Sequence, residues 1–275
     1  YIKPGMKVAL KANLVMKKHP EDAATTHPAV IEAISSIVQK AGGIVTVLDS
    51  PGGAYNEGAL RSVYSGCGIK GTALKTGSRL NYDLSQTDVD NPEGEYLKKV
   101  TVLKPLLDAD VIINVPKLKT HGQMVYTGAV KNMFGAVPGV LKAEYHMRMA
   151  GYDEFANALI DIFLSVKPTL NIMDAVVGME GTGPTGGDPK EIGLIIGSDN
   201  AFELDLAALN IIKGDYMQVP MVKNAVRRGL CPQTLESVEI VGEDIENVTV
   251  KEFKIPQMEL LKDIQFFDSK TLKGF

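Results

Sequence analysis

The chain has 275 residues, enough for one large α/β domain or two small ones, with the 45% hydrophobic and 23% charged balance of a globular protein. A net charge of −4, no Trp and only 6% aromatic residues argue against nucleic acid and base-stacking partners. No apolar run reaches the ~18 residues of a bilayer span, so no membrane partner is expected. The two cysteines, Cys67 and Cys231, are too few for a disulfide framework or, alone, for an iron–sulfur cluster. They read as free thiols in a reducing, cytoplasmic setting. Nothing resembles a signal peptide, although a start at Tyr1 leaves room for residues upstream.

Lys7 to Val15 alternates and is β-branched, which predicts a first strand. A helix opens at Thr26-His27-Pro28, with Thr26 or His27 as cap and Val30, Ile31, Ile34, Ile37 and Val38 as its apolar stripe. Gly42-Gly43 ends it, and Ile44 to Leu48 is a second strand running into Asp49-Ser50-Pro51-Gly52-Gly53. This β-α-β unit should be parallel and right-handed. Residues 54–70 read as a short helix and a loop. Residues 71–100 are polar and turn-rich, and suit a subdomain or insertion.

A helical turn at Leu103 to Asp108 leads to the apolar strand at 111–115, and residues 123–150 look irregular. Helical spacing returns from Tyr152 to Lys167 and stops at Pro168. Leu170 to Val177 is a strand, 178–189 a glycine-rich loop, and Ile192 to Gly197 another strand. Helices follow at Asn200 to Lys213 and at 218–229, then two last strands at Val238 to Val241 and Val248 to Phe253. Alternating strands and helices predict one α/β domain over 1–275, a mainly parallel sheet with helices on both faces.

The chemistry concentrates after the 111–115 strand, in Pro116-Lys117-Leu118-Lys119-Thr120-His121-Gly122 and Lys131-Asn132-Met133-Phe134-Gly135. Ligands of open α/β sheets bind at the carboxyl ends of strands. Lys11, Asn13, Asp49, Ser50, Ser198 and Asp199 end other strands and are expected at the same edge. Clustered lysines repel one another, lower one another's pKa and are relieved by an anion. Lys11, Asn13, Lys117, Lys119, Lys131 and Asn132 are therefore the expected ligand-binding residues, and a small anionic molecule the expected partner. His121 or a lysine of lowered pKa, Lys119, is the expected proton-transfer group, and Asp174, within an apolar run, should hold a lysine or a metal. Asp49, His121, Asp174 and Glu180 are the candidates for a divalent metal, although no HxH, HxxxH or CxxC spacing supports one. Asp205 lies in a predicted helix, and His146 carries little signal. The 178–189 loop matches no phosphate-loop pattern, and no nucleophile elbow surrounds Ser50 or Ser198.

Six segments together resemble a known prokaryotic family. They are Lys11-Ala12-Asn13-Leu14-Val15, Thr26-His27-Pro28, Asp49-Ser50-Pro51-Gly52, Asn114 to His121, Thr127 to Gly135, and Met179-Glu180-Gly181-Thr182-Gly183-Pro184. The family is the domain of unknown function 362, and the resemblance runs from about residue 3 to about residue 255. Many members carry ferredoxin-type modules with cysteine-rich cluster motifs, which this chain lacks. The resemblance implies a redox-associated enzyme domain that acts on a small anionic substrate. Its electrons would come from a ferredoxin-type partner or module, which would hold the iron–sulfur cluster. A non-catalytic module binding an anionic ligand or a redox partner, and a metal-dependent enzyme, stay open beside it. The sequence does not give the oligomeric state.

Overall fold

In the computed structural model, which describes residues 2–149 and 151–257, strand alternation divides the apolar residues between two cores. Along β1 (Lys7–Ala12), Val8, Leu10 and Ala12 face one core and Ala9 the other. The first core holds Ile31, Ile34 and Val38 of α1 (Pro28–Lys40) and Val45 and Val47 of β2 (Ile44–Leu48). It also takes residues of α2 (Glu57–Gly66) and Ile69 of α3 (Ile69–Thr76). Helix α1 starts where Pro28 fits the first turn and His27 Nδ1 accepts the Ala29 N–H at 3.2 Å. It stops at Gly42, whose φ of +86° suits glycine.

The polar stretch then supplies β3 (Arg79–Leu80) and a separate antiparallel ribbon of β4 (Gln86–Asp90) and β5 (Lys99–Leu103). Val100, Val102 and Leu103 seat that ribbon in the second core. The short α4 (Lys104–Leu107) leads into β6 (Val111–Val115), whose Val111, Ile113 and Val115 face the first core and Ile112 the second.

Beyond Pro116 the chain stays in the sheet. The polar cluster expected just after the 111–115 strand is itself strand β7 (Lys117–His121), followed by β8 (Val125–Thr127). The stretch 123–149, expected to be irregular, holds α5 (Ala129–Asn132), a 3-10 turn at Met133–Ala136 and α6 (Gly139–Arg148). Next come α7 (Tyr152–Val166), β9 (Leu170–Glu180), β10 (Asp188–Ser198), α8 (Ala201–Ile211), α9 (Pro220–Arg227) and α10 (Ile245–Val248). The second core packs α7, α8 and α9 on the sheet face opposite α1 to α3.

The sheet is mainly parallel with helices on both faces. β2, β1 and β6 are parallel neighbours, and β9 runs parallel beside β6 at its start and beside β7 from Asp174 onward. β8 and β10 close the arrangement as antiparallel strands. The glycine-rich loop shrinks to the turn 181–187 between β9 and β10. Two expected strands fail. Val238 to Val241 is irregular, and of 248–253 the first residue ends the one-turn α10 and the rest follow it without forming a strand. Val248, Val250 and Phe253 instead lie partly buried on the second core, with the Val250 N–H on Ile211 O at 2.8 Å. Core burial has taken over β-branched residues that find no strand partner. Among the described residues no helix is long and apolar enough to cross a membrane.

Candidate functional site

Two classes of lysine occupy the strand ends. Lys11 and Lys117 are closed by carboxylates. Lys11 Nζ lies 2.7 Å from Asp49 Oδ1 and donates to Ala12 O and Asn132 O; Lys117 Nζ lies 2.9 Å from Asp174 Oδ2. Both lysines and Asp174 are fully buried. Asp49 also accepts from the Leu14 and Ser50 N–H groups, and Asp174 from those of His27 and Val176. These ion pairs are complete, as buried charges require. Lys117 and Asp174 do not reach the cleft described next.

Lys119, Lys131 and Lys142 line one cleft of about 620 Å³. Its walls also include Asn13, Asp49, Ser50, His121, Asn132 and Phe134. Asp49 is the carboxylate among the lining residues, and Lys11 already neutralises it. Lys119 donates to Asn13 Oδ1 at 2.9 Å and to Ala24 O at 2.6 Å. An ammonium has three N–H donors, so one is left for the cleft. Lys142 donates to Ser50 O and lies 5.6 Å from the Phe134 ring centroid. Lys131 has no hydrogen-bond or ion-pair partner among the described residues. Burial, with Lys131 close by, pulls Lys119 down to about 7. Burial likewise brings Lys142 to about 7 and Lys131 to about 8.

His121 enters the cleft as a neutral donor. Its Nδ1 accepts the Gln123 and Met124 N–H groups at 3.0 and 3.2 Å, which places the ring proton on Nε2. Burial, then Lys131 and Lys119, hold its pKa well below the ordinary imidazole value. His146 on α6 is brought to about 4 by burial, then Lys131 and Lys142. Two buried hydroxyls on the cleft wall, Ser50 Oγ and Thr127 Oγ1, lack a hydrogen-bond partner among the described residues.

The Thr127-to-Gly135 segment builds this edge through close approaches. Asp205 of α8 accepts the Ala129 and Val130 N–H groups at 2.6 and 3.1 Å and thereby caps α5. A Cβ on Gly128 would overlap Asp205 Oδ1 and come within 2.5 Å of Tyr126 Oη. A Cβ on Gly135 would overlap Asp49 Oδ1 and come within 2.5 Å of Lys11 Nζ. The capped turn puts Lys131 on the cleft and aims Asn132 into the sheet, where it bonds Asn13, Asn114 and Lys11 O.

Of the residues expected at the site, Asn13, Lys119, His121, Lys131 and Asn132 meet in the cleft; Lys11 lies beneath it, paired to Asp49. The metal candidates do not assemble. Glu180 pairs with Lys254, and among the described residues no three His, Cys, Asp or Glu side chains converge to hold a metal ion. Sequence reasoning missed Thr127, Lys142 and His146. Gly139, Lys142, Ala143 and His146 share one face of α6 at helical spacing, the signal that marks them. Cys67 and Cys231 are free and buried in different cores.

Residues 8–210 match the family described as domain of unknown function (DUF362). A thylakoid-associated protein of Synechocystis sp. is 35% identical over 282 aligned positions, covering all of this chain and 83% of that protein. The lactate racemase apoprotein of Thermoanaerobacterium thermosaccharolyticum superposes with a TM-score of 0.41 at 11% identity, over 69% of this chain and 46% of that one. A Thermotoga maritima protein gives 0.33 at 11% identity, over 73% and 52%. This chain thus spans about half the length of each of those two solved chains. By the extent of the family match and the identity to the Synechocystis protein, the chain belongs to the domain of unknown function 362 family.

Proposed function

We propose that the cleft binds a small anionic substrate and that Lys119 exchanges a proton with it. One observation carries this reading: three lysines line the cleft, and the carboxylate beside them is already neutralised. Desolvated cations repel one another, and an anion between them relieves both costs. Ser50 Oγ, Thr127 Oγ1 and His121 Nε2–H supply uncharged hydrogen bonds for orientation. A lysine near 7 exchanges its proton readily at neutral pH, as a general acid or base must. In the full proposal the electrons come from a ferredoxin-type module outside this chain. That element rests on the family resemblance and on no residue of the cleft.

The test uses Lys131→Met, which keeps most of the side-chain volume and removes the cleft lysine that has no partner among the described residues. Calorimetric titration with sulfate, inorganic phosphate and small mono- and dicarboxylates should show saturable binding to the wild type. The variant should bind at least ~10-fold more weakly, about the share of one desolvated charge pair. Equal binding by the two proteins, or none by the wild type, would overturn the proposal.

A further inference from the structure

Lys119 stands at one end of a line of side-chain amides. It donates to Asn13 Oδ1 at 2.9 Å. Asn13 Nδ2 donates to Asn132 Oδ1 at 2.9 Å, and Asn132 Nδ2 to Asn114 Oδ1 at 2.7 Å. Asn114 Nδ2 donates to Asn171 Oδ1 at 2.9 Å, and Asn171 Nδ2 to Ser198 O at 3.2 Å. Four asparagines from β1's end, α5, β6 and β9 thus link the cleft to the end of β10. Register builds part of the line, since Lys11, Asn114 and Asn171 are direct neighbours across β1, β6 and β9.

The direction of this line is over-determined. A lysine ammonium only donates, so Asn13 must turn Oδ1 toward it. The Ser198 carbonyl only accepts, so Asn171 must turn Nδ2 toward it. Between them, Asn132 Nδ2 also meets Lys11 O and Asn114 Nδ2 also meets Ala129 O, both acceptors. Each link therefore fixes the same polarity. All four amides point their oxygen ends toward Lys119, and bonds aligned in this way polarise one another.

We propose that Asn114 and Asn171 are positioning residues: through this one-way line they hold Asn13 Oδ1 as a committed acceptor for the Lys119 ammonium. Neither residue lines the cleft, and both are fully buried. The line opposes the groups that disfavour a charge on Lys119, which are its desolvation, Lys131 on α5, Lys117 on its own strand and Lys11 on β1. It acts together with Asp49, whose charge favours the ammonium. His121, two residues along β7, stays neutral and adds no opposing charge. The inference rests on reading Lys119 as the proton-exchanging group of the cleft.

The experiment follows the titration of Lys119 itself, in protein labelled with 13Cε-lysine and free of ligand, the resonance being identified by its loss in Lys119→Met. Asn171→Leu removes one of the two acceptors that orient Asn114, leaving Ala129 O, and its isosteric side chain leaves no room for water. It should lower the Lys119 midpoint by ~0.5 unit or more, about threefold in proton affinity. Asn171→Asp restores the acceptor and should return the midpoint to the wild-type value or above, although it also gives up the bond to Ser198 O. Asn114→Val removes the acceptor for Asn132 Nδ2 without adding charge or bulk, so its midpoint should fall as well. It decides the matter if Asn171→Leu does not fold. A purely structural role predicts lower melting temperatures with an unmoved midpoint, and that result in both Asn171→Leu and Asn114→Val overturns the inference. Sulfate titration of the wild type is a separate readout. Its failure removes the anion-binding reading and leaves the midpoints as they are.

Discussion

Gly135→Ala is the sharpest single perturbation of the site's foundations. The added methyl group would occupy the space of Asp49 Oδ1 and lie within 2.6 Å of Lys11 Cε. Both neighbours are buried and bonded on their other sides, Asp49 by the Leu14 and Ser50 N–H groups and Lys11 by two carbonyls. Neither can retreat without giving up a partner. Overpacking alone costs ~1–3 kcal/mol, and opening a buried ion pair ~3–5 kcal/mol. Because the pair can shift before it breaks, the expected loss is about 3–5 kcal/mol. At roughly 2–4 °C per kcal/mol this lowers the melting temperature by about 10 °C. The assay is urea unfolding by circular dichroism together with a thermal scan. Gly71→Ala is the control, since a Cβ there meets nothing within 4 Å and the site lies in α3. It should be neutral or stabilise by up to ~1 kcal/mol. A Gly135→Ala protein within ~0.5 kcal/mol of wild type would refute the claim that glycine is needed to admit the Lys11–Asp49 pair.

Lys117→Met strands the Asp174 carboxylate in the core and should cost ~3–5 kcal/mol in urea unfolding. Adding Asp174→Asn removes the stranded charge, its one amide oxygen still able to accept the His27 N–H while its Nδ2 faces the Val176 N–H, and should recover part of that loss; no recovery would show that the pair is not what Lys117 supplies. Stability without ligand should rise with pH. Lys119 is held near 7 in the folded protein against an ordinary 10.5. The unfolded chain therefore binds more protons between those values, and Lys119 alone adds up to ~1.4 kcal/mol per pH unit across the window. Chemical denaturation from pH 6.5 to 9.5 measures this slope, and a fall over the range would contradict the shift. Sulfate affinity should move the opposite way, weakening by ~10-fold or more from pH 6 to 9 as Lys119, Lys142 and Lys131 lose their protons. Titration calorimetry at fixed ionic strength reads it, and a flat profile would count against cationic lysines as the binding groups.

The β-α-β start, the strand at 111–115 and the helix from Tyr152 were legible because each buries a face of definite period. Strand β7 was hidden because two of its four buried positions are lysines. Hydrophobic patterning scores Lys117 and Lys119 as surface, whereas Asp174, Asn13 and Ala24 O make their burial possible from distant parts of the chain. Helix α6 escaped for the opposite reason. Of its residues only Gly139 is buried, so it shows no apolar stripe, and its regular face is turned to a polar cleft. The expected strand 248–253 was misread because β-branched residues fit any half-buried surface, here a cover on the second core, whereas Ile240 and Val241 of the other expected strand are exposed.

What separates the closed lysines from the open ones is the partner and not the lysine. Lys117 and Lys119 sit two positions apart on one strand, both about 1% exposed. Lys117 meets a carboxylate, which cancels its charge, and it stays outside the cleft. Lys119 meets an amide oxygen and a carbonyl, which bond the ammonium without cancelling its charge. Exchanging the partners should therefore exchange the behaviour. Asn13→Asp would turn Lys119 into a second closed pair, raise its titration midpoint and weaken sulfate binding, while Lys131 and Lys142 still line the cleft. Sulfate binding by Asn13→Asp as strong as that of wild type would place the anion elsewhere than at Lys119.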